Sequence, residues 1–185
     1  MKIVGFVGSP RKGGNTETLV SQVLAGAHDK GAQTKLFNLT KHNIKGCTSC
    51  HYCVANKKCM IKDDMQKLYE ELQGADAVVL GTPIYMWQMS AQTKLFVDRL
   101  LAFLNPDFTT RLTQPKYMII VFTQGNPDVE TFREYVKNTV HMLEFLGFKV
   151  TSTIVAGGTN EIGDVLKQEE VMEDARQKGR ELAAK

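Results

Sequence analysis

Five short apolar runs, each followed by a stretch of helical periodicity, constrain this chain more than any other feature. The runs are Ile3–Val7, Thr34–Leu39, Ala75–Gly81, Tyr117–Phe122 and Lys149–Val155. Several are nearly continuous in Val, Ile, Leu and Phe, the pattern of strands covered on both faces. Between them lie helical patterns. The first, Thr16 to Lys30, carries Leu19, Val20, Val23, Leu24 and Ala27 and ends near Gly31. The second is capped by Asp63 or Asp64, runs through Met65, Leu68 and Leu72, and stops at Gly74. Ser90 caps a third, and Val129–Leu146 and Asp164–Ala184 are two more. Strands separated by helices pair in parallel, with helices on both faces of the sheet. No repeat, linker or shift of composition interrupts residues 1–185, so one domain is expected.

The remaining bounds are on class and compartment. The chain has 185 residues, 43% of them hydrophobic, enough for a full core. Its net charge of +3 is too small and scattered to argue for nucleic acid. No apolar run reaches membrane-spanning length, and the chain opens on a strand pattern rather than a signal peptide. A cytoplasmic protein is therefore expected. In a reducing compartment four clustered cysteines read as metal ligands or redox groups before they read as disulfide staples.

The first strand runs into a small-residue loop, Gly8–Thr16, and then a helix. Loop N–H groups and a helix N-terminus make an anion site. Ser9, Asn15, Thr16 and Thr18 add side-chain donors, and Arg11 adds a fork for phosphate. A nucleoside-triphosphate loop needs Lys and Ser/Thr where Gly14 and Asn15 stand. A dinucleotide fingerprint fails at Pro10. What remains suits a terminal monophosphate; the competing reading is an ordinary strand-to-helix turn.

In an open parallel sheet the ligand lies beyond the carboxyl ends of the strands. Two further loops belong there. Thr82–Met89 contains Pro83, Ile84, Tyr85, Met86 and the sole tryptophan, Trp87. Flat and polarizable side chains at a ligand edge suit a planar ring; the plainer alternative is packing under the loop or at a dimer interface. Thr123–Asp128 brings Thr123, Gln124 and Gly125.

Two motifs carry a family resemblance: Gly8-Ser-Pro-Arg-x-x-x-Asn-Thr16, and Thr82-Pro-Ile-Tyr followed by Met89-Ser-Ala-Gln-x-Lys-x-Phe-x-Asp-Arg-Leu100. Together they resemble the flavodoxin-like NADPH-dependent FMN reductases over nearly the whole chain. The resemblance implies an α/β three-layer sandwich with a five-stranded parallel sheet in the order 2-1-3-4-5 and non-covalent FMN. It implies that Ser9, Arg11, Asn15 and Thr16 hold the phosphate. Pro83 to Trp87 would border the isoalloxazine, and Thr123 to Gly125 its other edge. It implies NAD(P)H as a transient co-substrate, a small-molecule or redox-protein acceptor, and a homodimer or homotetramer. No side chain stands out as a catalytic acid or base.

The cysteines read Cys47-x2-Cys50-x2-Cys53-x5-Cys59. Three tightly spaced thiols with a fourth nearby let one loop wrap a cube of iron and sulfide. The compact pattern resembles the iron–sulfur flavoprotein branch, whose four cysteines hold one 4Fe–4S cluster near FMN. Zinc and metal-free redox thiols are the alternatives. The expected activity is an FMN-dependent oxidoreductase fed by NAD(P)H or a ferredoxin-like donor. The alternatives are a quinone reductase on the same fold and a non-enzymatic binding or electron-carrier module.

Overall fold

The computed structural model describes residues 1–112 and 114–185. Its elements alternate as the apolar runs require. They are β1 Lys2–Val7, α1 Asn15–Asp29, β2 Gln33–Asn38, α2 Tyr52–Asn56, α3 Met65–Gln73, β3 Ala77–Tyr85, β4 Gln88–Met89, α4 Ala91–Arg99, β5 Lys116–Thr123, α5 Arg133–Phe145, β6 Phe148–Ala156 and α6 Glu169–Leu182. The long strands form a parallel sheet in the order β2-β1-β3-β5-β6, and β4 pairs antiparallel with β3. This is the expected five-strand order with one short strand added.

The pleat sends alternate residues to two cores. Ile3, Val7, Val79 and Val121 meet Leu19, Val23, Ala175 and Leu182 of α1 and α6. Val4, Phe6, Leu80 and Phe122 meet Leu68, Phe96 and Leu143 of α3, α4 and α5. The layers are therefore helix, sheet, helix. α1 and α6 lie almost backbone to backbone: a Cβ at Gly26 would overlap the Arg176 carbonyl, and one at Gly179 the Val23 carbonyl. Among the described residues no helix is long and apolar enough to cross a membrane.

Three boundaries differ from the sequence reading. β3 continues through Thr82–Tyr85, expected as loop, and turns back into β4. Met86 and Trp87 form the turn with φ of 45° and 65°, the left-handed pair that a two-residue hairpin of this hand requires. α5 begins at Arg133 rather than Val129, and a turn of 3-10 helix at Asp164–Lys167 precedes α6. Ser90 caps α4 as expected, accepting from the Thr93 N–H.

Candidate functional site

The loop after β1 is fastened at its base. The Gly8 N–H donates to the Gly81 carbonyl (2.9 Å), and Ser90 Oγ donates to the Gly8 carbonyl (2.6 Å). Thr93 Oγ1 donates to Thr82 Oγ1 (2.9 Å), which also accepts from the Ser90 N–H. These hydroxyls are buried, so each needs the partner it has. A Cβ at Gly8 would overlap the Thr93 hydroxyl. The loops after β1 and β3 are thus joined by one hydroxyl network.

Above that base α1 starts at Asn15 with no side-chain cap on it, which leaves its first N–H groups for a ligand. Gly13, at φ 64°, gives its N–H to Glu17 Oε2 (2.9 Å). Thr16 and Thr123 share a hydroxyl hydrogen bond of 2.7 Å. Asn15 is spent on the loop after β6. Its amide donates to the carbonyls of Glu161 (2.7 Å) and Thr159 (3.3 Å). Its oxygen accepts from the N–H groups of Gly163 and Val165. A phosphate would meet the Asn15 backbone N–H, while the side chain shapes the wall.

The cavity enclosed here has a volume of about 200 Å³. Ser9, Arg11, Asn15, Thr16, Pro83, Ile84, Tyr85, Thr123, Gln124 and Gly125, all named from sequence, line it. Thr18, Met86 and Trp87 do not. Thr18 Oγ1 donates back to the Gly14 carbonyl within the helix. Met86 and Trp87 ride the hairpin tip, 84% and 65% exposed, with Trp87 edge-on to Phe132. Tyr135 steadies that hairpin, its hydroxyl accepting from the Met89 N–H (2.7 Å).

Thr159 and Asn160 also line the cavity and were not named from sequence. The Thr159 hydroxyl donates to the Gln124 carbonyl (3.0 Å), and Arg11 reaches across the mouth to the Asn160 carbonyl (2.5 Å). Both residues follow the carboxyl end of β6, the same position rule that flagged the other loops.

One residue lining the cavity, Gln124, bears on the fit to FMN. Gln124 is 2% exposed. Its amide nitrogen is fixed by the carbonyls of Asn126 (3.1 Å) and Asp128 (2.8 Å), while Oε1 has no partner. A buried acceptor without a donor is costly, and a ring N–H at the heterocycle edge would satisfy it. Uncapped helix N–H groups for a phosphate, an apolar wall of Pro83 and Ile84, and a waiting acceptor fit a flavin mononucleotide.

The cysteines lie outside this cavity. Cys47 and Cys50 are exposed, Cys59 half-buried and Cys53 buried. Ser49, His51 and Lys57 all take left-handed backbone. Tyr52 and Thr48 hydrogen bonds hold the Cys50 thiol below its usual pKa, while burial and the other three sulfurs push Cys53 up. Among the described residues no three cysteine, histidine or acidic side chains converge on one ion, as a single zinc would require. A cube of iron and sulfide spreads its thiolates farther apart, and the donor set suits it in kind and number.

Known proteins place the chain further. It is 41% identical over 106 residues to an iron-sulfur flavoprotein of Archaeoglobus fulgidus, covering 57% of this chain and 54% of that one. The chain spans about half the length of the first such relatives it matches. It is 25% identical over 179 residues to YwqN of Bacillus subtilis, an NAD(P)H-dependent FMN-containing oxidoreductase by name, covering 95% of this chain and 94% of that one. A solved NAD(P)H:quinone oxidoreductase from Methanothermobacter marburgensis shares the fold, with a TM-score of 0.78 at 15% identity and 98% of each chain covered. The model of the NADPH-dependent FMN reductase family matches residues 1–159, the segment that contributes every cavity-lining residue named above except Asn160, and the chain belongs to that family.

Proposed function

We propose that this protein is an FMN-dependent oxidoreductase that takes electrons from NAD(P)H and passes them to a small acceptor or redox partner, with Cys47, Cys50, Cys53 and Cys59 holding a 4Fe–4S cluster. The observation that carries it is the one cavity that an uncapped helix start, Arg11, the apolar Pro83 and Ile84, and Gln124 line together. Bound FMN would supply hydride acceptance, and the cluster one-electron transfer. The chain's own residues do the holding. The α1 N–H groups and Ser9 receive the phosphate, Arg11 closes the mouth, and Gln124 accepts from the ring edge. Pro83 and Ile84 exclude water from one side. Tyr85 stands at the open edge, half-exposed, where a nicotinamide would approach.

In this reading residues 1–185 are one FMN domain of a cytoplasmic protein, assembled as a homodimer or homotetramer. The exposed Met86 and Trp87 support an interface beside the flavin. The test is a visible spectrum with iron and acid-labile sulfide assays on protein purified without oxygen, followed by NADH and NADPH addition. Flavin bands with about four irons per chain support the full reading, and Cys50→Ser should then remove iron and leave FMN. Flavin without iron reduces it to a plain reductase. No flavin after FMN addition overturns it in favour of a binding module.

A further inference from the structure

Two arginines hold the cysteine segment, and the flavin reading uses neither. Arg99, at the end of α4, is 2% exposed. Its guanidinium forks onto Asp63, at 2.7 Å from NH1 to Oδ2 and 3.2 Å from NH2 to Oδ1. Both side chains of this pair are 1% exposed. The other donors go to backbone: NH1 to the Lys45 carbonyl (2.8 Å) and NH2 to the Ile61 carbonyl (3.5 Å). Lys45 lies just before Cys47, and Ile61 just after Cys59. Asp63 Oδ2 also accepts from the Lys45 N–H (2.9 Å). One ion pair therefore fastens both ends of the segment. Arg111 fastens its middle, donating to the carbonyls of Cys53 (2.8 Å) and Val54 (2.7 Å).

A fully buried ion pair is a weak device for stability alone, because desolvation offsets the attraction. Here its remaining donors are aimed at one loop. Arg99 Nε has no partner. Three left-handed residues in the segment would otherwise relax.

We propose that Arg99, locked by Asp63, is a positioning residue for the cysteine segment. It holds the two ends of the segment together through a desolvated ion pair, so that the chain carrying the four thiols is closed into one loop before an iron–sulfur group arrives. The identity of the group rests on the function proposed above; the clamp does not.

Hydrogen exchange on the metal-free full chain, compared with iron content after anaerobic loading, tests this. Arg99→Gln should speed exchange across residues 43–62 by about tenfold or more beyond any rise in residues 2–30, the loss of charged hydrogen bonds. Iron per chain should fall while FMN stays at the wild-type level. Arg99→Lys keeps the charge without the fork: it should lose the exchange protection. Wild-type exchange in residues 43–62 of Arg99→Gln, or an equal rise in residues 2–30, would overturn the proposal. If that variant does not fold, Arg111→Gln decides by the same comparison at Cys53 and Val54. A wild-type protein that takes up no iron sinks the cluster reading, while the exchange comparison still decides the clamp.

Discussion

The flavin cradle and the cysteine segment solve the same problem, holding polar groups at fixed places, by opposite means. The cradle is assembled from strand ends. Its loops leave β1, β3, β5 and β6 side by side; hydroxyl bonds through Thr82, Ser90 and Thr93 join the first two, and those of Thr16 with Thr123 and of Thr159 with the Gln124 carbonyl join the others. The sheet register sets the spacing, and the side chains only refine it. The cysteine segment has no strand beneath it. Its shape comes from the Arg99–Asp63 pair and Arg111, reaching in from α4 and from the loop before β5. A site on a sheet tolerates the loss of one contact because backbone ladders remain; a site held by one ion pair does not.

The largest effect should come from breaking the clamp. Asp63→Ala leaves Arg99 buried with its charge uncompensated, which should cost about 3–5 kcal/mol in urea unfolding. The pH dependence sharpens this. Burial alone would push the Asp63 carboxyl up, yet hydrogen bonds from Arg99 and the Lys45 N–H bring it below its ordinary 3.8. Its contribution is then fully present above about pH 4 and fades as pH falls through the depressed value. The stability gap between wild type and Asp63→Asn should narrow over that acid range; a constant gap would mean the carboxylate's charge contributes nothing.

Gly8→Ala attacks the cradle at its tightest point, where a Cβ meets the Thr93 hydroxyl. A loss of about 1–3 kcal/mol is expected, together with weaker FMN binding by fluorescence titration. Equal FMN affinity would show that the loop shifts without cost and that the hydroxyl network is not what shapes it. The smallest effect is expected at Gln124. Gln124→Leu keeps the bulk and removes the unpaired acceptor together with the amide's bonds to the Asn126 and Asp128 carbonyls. FMN affinity should fall by about tenfold, the worth of one hydrogen bond to a buried group, with stability changed by about 1 kcal/mol. Unchanged affinity would remove Gln124 Oε1 from the site.

The same contrast governs what the sequence makes legible. The sheet is readable because Ile3, Val7, Val79 and Val121 must be buried by helices, and parallel strands place their ligand at known ends; the strand order is implied only by the family resemblance. Gln124 and Gly125 follow from the strand-end rule, and Ser9 and Arg11 from it together with the anion-binding start of a helix. Thr159 and Asn160 obey it too, but polar turn residues there carry no composition that separates a wall from a bend. The role of the Asn15 side chain is hidden because its partners are backbone groups of residues 159–165. β4 escapes because two paired residues have no periodicity to read. The clamp escapes for a deeper reason. Arg99 falls in an amphipathic helix, where a charge reads as solvent-facing, and only the fold reveals that it is buried against Asp63.

The close approach of Gly26 to Arg176 and of Gly179 to Val23, with the pairing of Asn15 and Gly163, dictates an order of assembly. Asn15 and Gly163 are 148 positions apart, so a growing chain exposes the α1 face long before α6 can cover it. Contacts of such separation form late, because the loop they close must first be ordered. The first strand-loop-helix unit is made early yet finished last. A nascent chain that ends before residues 159–165 therefore lacks both the Thr159–Asn160 wall of the cradle and the backbone partners of the Asn15 side chain.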